Sequence, residues 1–167
     1  MKENLSVVAI DKESKKIVGA QISGVVYKED YMAIPLDDMV ASMKSDKFGH
    51  ILKCLYGCHT KTKSNIFDDL NTDCLFDLKL VTTDESVRQM GLMKELVRMS
   101  LDMARILGIE GVKTEATGAF SRKALKANGF SVVSENLYSE FEDENGVKVF
   151  ANVKQPHQGM ALMTRKL

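Results

Sequence analysis

The sequence predicts an α+β domain whose mixed central sheet contains one parallel strand pair, and three observations carry that prediction. Residues 75–107 read as a strand, a glycine turn and a long helix. A second strand pattern at residues 111–116 follows at once, so the helix is the crossover that makes the two strands parallel. β-rich runs near both ends of the chain supply antiparallel neighbours for that pair.

Taken in order, residues 5–10 and 17–27 are β-rich and are separated by Asp-Lys-Glu-Ser-Lys-Lys, which predicts a hairpin. Residues 28–35 read as loop. Pro35 then opens a helix with Asp37 and Asp38 in its first turn and Met39, Val40 and Met43 as its apolar stripe. Phe48, Ile51, Leu52, Leu55 and Tyr56 repeat the helical spacing and predict a second short helix, with Gly57 as its candidate break. Residues 65–69 are read as a linker.

The central strand alternates Phe76, Leu78 and Leu80 against Asp77 and Lys79, as a strand with one buried face does. From Gly91 the period becomes helical. Leu92, Leu96, Met99, Met103 and Ile106 form the expected buried stripe, Lys94, Glu95, Arg98, Asp102 and Arg105 the wet face, and Gly108 the stop. Val112, Thr114 and Ala116 alternate in the next strand, and a short helix over residues 121–128 is stopped by Gly129. Residues 130–141 and 147–153 are expected to pair across an Asn145-Gly146 type I′ turn, and residues 160–167 form a last alternating run. With no repeat or interdomain linker, residues 1–167 are read as a single domain.

The turn into the long helix, Val87-Arg88-Gln89-Met90-Gly91-Leu92-Met93, points unpaired backbone N–H groups and the positive end of the helix dipole at whatever lies in front of it. Such a turn is either an anion site, best suited to phosphate, or an ordinary strand-to-helix connection. No Gly-Lys-Ser/Thr is present to serve a nucleoside triphosphate.

Arg88-x-x-Gly91-x-Met93 resembles the (Gln/Arg)-x-x-Gly-x-(Gly/Ala) pyrophosphate loop of the GCN5-related N-acetyltransferases (the GNAT superfamily), with Met93 standing where a small residue is usual. The segments Ala116-Thr117-Gly118-Ala119-Phe120-Ser121, Asn128-Gly129-Phe130 and Pro156-His157, and the insert ending Asn65-Ile66-Phe67-Asp68, are similar to the insect and nematode arylalkylamine (dopamine-type) N-acetyltransferases. The resemblance runs from about residue 7 to residue 167. It implies a GNAT fold in which the parallel pair splays so that the thioester end of coenzyme A enters between the strands. It also implies acetyl-CoA as co-substrate, no metal, and transfer to a small amine.

Carried over by position, the coenzyme neighbours are Val81, Thr82, Thr83, Arg88, Gln89, Met90, Gly91, Leu92, Met93, Ser121 and Lys123, with Arg122 beside them. Ser121 would stand near the coenzyme sulfur, and Thr117 where the family offers a second hydroxyl; alternatively the two cap the short helix. For the general base the residue types offer His157, at the entry to the last strand, and Asp77 on the central strand. Family members place a strand and two helices, with a proposed general-base glutamate, ahead of the hairpin on which this sequence starts. Two readings therefore stand side by side: an amine acetyltransferase, and a coenzyme A binding module with little catalysis.

Composition narrows the partners. Lys+Arg and Asp+Glu number 23 each, so no net field favours nucleic acid or an anionic membrane. The three cysteines form neither a disulfide framework nor a zinc site, and Cys54 and Cys58, one helical turn apart, read as half-buried core residues. No signal-peptide core and no apolar run long enough to span a bilayer is present, so a cytoplasmic protein, monomer or weak dimer, is expected.

Overall fold

A computed structural model describes residues 4–43 and 45–167. Six strands, β1 (Val7–Ile10), β2 (Ile17–Tyr27), β3 (Cys74–Thr83), β4 (Gly111–Ala116), β5 (Ser131–Leu137) and β6 (Gly159–Lys166), form one sheet in the order β1-β2-β3-β4-β6-β5. Every neighbouring pair is antiparallel except β3 and β4, which are parallel and joined through the long helix α4 (Leu92–Ile106), as the sequence predicts.

Helices cover both faces. Against one lie α4 and α5 (Ala119–Ala127), enclosing Phe76, Leu78, Val97, Leu101, Val112 and Leu125. Against the other lie α2 (Asp46–Thr60) and α3 (Ile66–Leu70), preceded by the short α1 (Leu36–Ala41), enclosing Cys54, Cys58, Phe67, Leu75, Met160 and Leu162. Cys54 and Cys58 are fully buried rather than half-buried, and burial raises both thiols, Cys54 to about 11, so they stay protonated and serve packing.

Several expectations need correction. Gly57 does not break α2, which runs unbroken to Thr60. Its missing side chain instead leaves room for the Asn136 amide of β5, whose Nδ2 donates to the Cys54 carbonyl at 2.7 Å. The linker at 65–69 is largely the helix α3, capped by Asn65, whose Oδ1 accepts from the Phe67 N–H at 2.9 Å, and closed by Asn71 in the left-handed region.

The buried stripe of α4 is Leu96, Val97, Ser100, Leu101 and Ala104, while Met99 is 47% and Ile106 81% exposed. Small residues let the helix sit close to the sheet, and Ser100 satisfies its hydroxyl on the Leu96 carbonyl at 3.0 Å, so apolar spacing alone mislocates the stripe. Residues 147–153 form turns, not a strand. Asp143 Oδ1 takes the N–H groups of Asn145 and Val147 at 2.9 and 2.8 Å, closing a local turn, and Phe150 packs on Tyr138 and Phe141. The closing pair is β5 with β6.

Candidate active site

The two central strands part early. Their pairing ends at Leu78 and Thr114, where Thr114 Oγ1 donates to the Leu78 carbonyl at 2.8 Å. The cause is one extra residue. β2 pairs Ser23 with Leu78 but Ile22 with Leu80, so Lys79 is a bulge, and a bulged strand bends and twists away from its neighbour. Buried Gln21 satisfies the distorted segment by donating to the carbonyls of Leu80 and Ile22, each at 3.0 Å.

The bulge also exchanges faces. Asp77 lies on the α2 face with Leu75, but beyond Lys79 it is Leu80 and Thr82 that take that face, and Val81 and Thr83 that turn toward α4. Leu80, expected to be buried beside Phe76 and Leu78, therefore lies on the opposite face and is 54% exposed. Along residues 80–83, alternate main-chain amides point away from β2 into a wedge that β4 has left.

β3 leads through a 3-10 turn, Glu85–Val87, into the N-terminus of α4. Gly91 caps that helix at φ +79°, and a side chain there would meet nothing within 4 Å, so the backbone faces open space. The N–H groups of Gly91, Leu92, Met93 and Lys94 have no acceptor among the described residues, and Met90 beside them is 75% exposed. Leu92 does not enter this space: with Leu96 it packs on Gly19 of β2, where a side chain would crowd both leucines at 3.1 Å. Arg88 reaches Glu85 at 2.9 Å and is exposed; Gln89 lies in the left-handed region; Met93 is half-buried. Amides at a helix terminus with no protein acceptor fit an anion, and the glycine fits a bulky one.

Across the wedge, β4 runs into α5. Gly118 caps that helix without a side-chain bond, and Ser121 donates its hydroxyl to the Gly118 carbonyl at 2.9 Å. Thr117 is exposed, and its carbonyl accepts from the Tyr138 hydroxyl at 2.7 Å. His157 Nδ1 accepts the Ala119 N–H at 3.2 Å, so one nitrogen is engaged in fixing the start of α5. Lys123, with Arg122 and Lys126, borders a cavity of about 270 Å³ between α5 and the segment from Pro156 to Gly159. Asn128 Nδ2 ties α5 to the first turn of α4 through the Lys94 carbonyl at 3.3 Å.

On the α2 face, at the level where the strands part, lies a second cavity of about 300 Å³, walled by Met32, Ile34, Met39, Leu52 and Tyr56. Its floor is charged. Lys113 Nζ is 2.8 Å from Asp77 Oδ1 and 2.7 Å from Glu115 Oε1, His59 Nε2 is 2.9 Å from the same Glu115 oxygen, and the Tyr31 hydroxyl meets His59 Nδ1. Burial pushes the Glu115 carboxyl up, but the Lys113 charge and the bonds from His59 and Lys113 prevail and hold it at about 2. Burial opposes the Lys113 charge, and its two carboxylate partners keep it protonated. Asp77 is raised, by burial first.

Sequence reasoning singles out Asp77 and misses Lys113, Glu115, His59 and Tyr31. A signal was present: the interior pair of a parallel sheet is normally apolar on both faces, and Lys113-Thr114-Glu115 opposite Asp77 is not. Among the described residues no cluster of side chains suited to a metal ion is found. Among the described residues no helix is long and apolar enough to cross a membrane.

No protein-family model and no curated sequence matches the chain. Solved structures do. Arylalkylamine N-acetyltransferase 2 of Aedes aegypti is 29% identical and superimposes with a TM-score of 0.87 over 99% of this chain and 74% of that one. A mosquito arylalkylamine N-acetyltransferase-like 5b is 23% identical, with a TM-score of 0.84 over 99% of this chain and 76% of that one. The Drosophila melanogaster polyamine N-acetyltransferase, 18% identical, shares the fold at a TM-score of 0.79 over 98% and 75%. The bulged central strand, the parting parallel pair and the open turn before α4 thus sit in a GCN5-related N-acetyltransferase fold, in the form taken by the arylalkylamine N-acetyltransferases.

Proposed function

We propose that the protein is an acetyl-CoA-dependent N-acetyltransferase that acetylates a small amine by direct attack within a ternary complex, in the cytosol. The observation that carries this reading is the wedge between β3 and β4 together with the turn before α4, where four main-chain N–H groups have no acceptor among the described residues. The likeness to enzymes named for arylalkylamines supports the amine class.

Acetyl-coenzyme A supplies the acyl group as a thioester. The amides of Gly91, Leu92, Met93 and Lys94 would hold its diphosphate, with Arg88, Gln89 and Met90 around it and Gly91 allowing close approach. Along Val81-Thr82-Thr83, the amides of Val81 and Thr83, which point away from β2, would take the charge that develops on the thioester oxygen. Ser121 on α5 and Thr117 in the link before that helix would border the same opening, and Ser121 is the hydroxyl assigned to protonate the departing thiolate, recovering a proton from the nitrogen that has attacked. Its present bond to the Gly118 carbonyl must then be exchanged for one to sulfur. Lys123 serves the coenzyme as an electrostatic neighbour. The amine would enter the α2-face cavity, whose apolar walls suit an aryl or alkyl body and whose floor carries two carboxylates against one lysine. Holding both partners at the wedge makes the attack effectively unimolecular.

A thiol-release assay with tyramine, dopamine and a polyamine, run beside thermal melts with acetyl-CoA, tests the reading. Turnover together with a raised Tm is expected; stabilisation without turnover on every amine would leave a coenzyme-binding module only. Ser121→Ala should lower kcat by about a hundredfold, the scale of a lost proton donor, with acetyl-CoA affinity kept. A change confined to Tm would reduce Ser121 to its bond with Gly118.

A further inference from the structure

The steps above leave the ammonium proton without an acceptor, and the cavity floor holds an unused arrangement that can take it. Glu115 is held as a carboxylate and can only accept, so His59 Nε2, 2.9 Å from it, carries a hydrogen. With the imidazole neutral, that hydrogen leaves Nδ1 as its bare nitrogen. The Tyr31 hydroxyl, which meets that nitrogen, must donate to it, which leaves a phenolic lone pair free to accept. Tyr31, His59 and Glu115 all line the cavity, and Glu115 lies on β4 one residue past the last rung between the parting strands.

Building on the proposed acetyltransfer, we infer that Tyr31 is the residue that deprotonates the incoming amine, with His59 and Glu115 as positioning residues behind it. The ammonium N–H bond breaks and its electron pair stays on nitrogen as the nucleophile. The proton goes to the Tyr31 oxygen while the tyrosine's own hydrogen passes to His59 Nδ1. One positive charge disappears from the amine and one appears on the imidazole, beside Glu115. After the product leaves, the imidazolium returns its proton through Tyr31 to solvent in the open cavity.

The surroundings fit a relay rather than a fixed phenolate. Burial pushes the Tyr31 phenol up to about 12, so it passes a proton on without staying ionised. The charged groups facing His59 are Glu115 and Lys113 from β4 and Asp77 from β3, with Tyr31 approaching from the loop before α1. Lys113, already protonated and shared by two carboxylates, cannot take a proton.

The test compares wild type, Tyr31→Phe and His59→Gln at saturating acetyl-CoA across pH on two amines. One is tyramine, an ammonium at neutral pH; the other is trifluoroethylamine, a weak base already neutral there. Thermal melts show that each variant is folded. With tyramine both variants should lose about a hundredfold in kcat/KM near neutral pH. They should then keep gaining tenfold per pH unit where wild type has levelled off. With trifluoroethylamine most of the loss should vanish, because no proton has to be removed before attack. Equal losses on both amines, or a wild-type pH profile in Tyr31→Phe, overturn the relay while leaving the acetyltransferase reading in place. Wild type that binds acetyl-CoA and acetylates neither amine overturns both.

Discussion

Gly91 offers two substitutions that separate backbone strain from phosphate recognition. At φ +79° any side chain occupies the left-handed region, which costs an L-residue about 1–2 kcal/mol. Nothing lies within 4 Å of the added atom, so no steric term joins it. Gly91→Ala should therefore lower Tm by about 2–4 °C per kcal/mol of that cost, as expected for a chain of this size. The strain is present with and without coenzyme, so Kd should rise by less than tenfold. Gly91→Glu carries the same strain and adds a carboxylate in front of the amides of Gly91, Leu92, Met93 and Lys94. Two unit charges about 5 Å apart at an effective dielectric of about 20 repel by about 3 kcal/mol, or about two orders of magnitude in Kd. Calorimetric titration with coenzyme A at low and high salt measures it, and salt should recover part of the loss. If the two variants bind equally well, the diphosphate does not lie at this turn.

Two further outcomes concern stability. Gly57→Ala raises helix propensity by about 1 kcal/mol, yet it should lower Tm, because the new methyl displaces the buried Asn136 amide from the Cys54 carbonyl and leaves that amide unpaired at about 1–3 kcal/mol. A higher Tm would show that the amide has another partner. Glu115, held at about 2 in the fold against an ordinary 4.5, contributes stability that is fully present above the ordinary value and is lost as pH falls toward 2. Glu115→Gln should therefore cost about 3 kcal/mol in urea unfolding near neutral pH and much less near pH 3. A pH-independent cost would assign the loss to packing.

Much of this architecture is legible from periodicity. The hairpin of β1 and β2, the strand before Gly91, the crossover helix and β4 follow from alternation giving way to helical spacing, and the open turn follows from Gly91. What escaped has physical causes. Asn136 in β5 fills the gap at Gly57, a long-range fit that no local pattern reports. Ser100 and Ala104 bury the helix without being strongly apolar. Asn145-Gly146 does turn the chain, but the aromatic contacts of Phe150 satisfy the following segment, and β6 pairs with β5 instead. The charged floor escaped because His59 and Glu115 are more than fifty residues apart in sequence and meet only through the packing of α2 on the sheet.

Lys79 shows how little chain is needed to make an opening in a sheet. Neither its charge nor its size is what matters; its presence as an added link is. Shorten the segment by that one link and the ladder with β2 runs on in step, Leu80 and Val81 keep their partners and faces, and the neighbouring parallel strand has no reason to depart. A continuous, closed surface would replace the passage through which, in the proposed transfer, two reactants approach from opposite sides. Whether this protein can bring them together is thus a matter of counting residues along one strand.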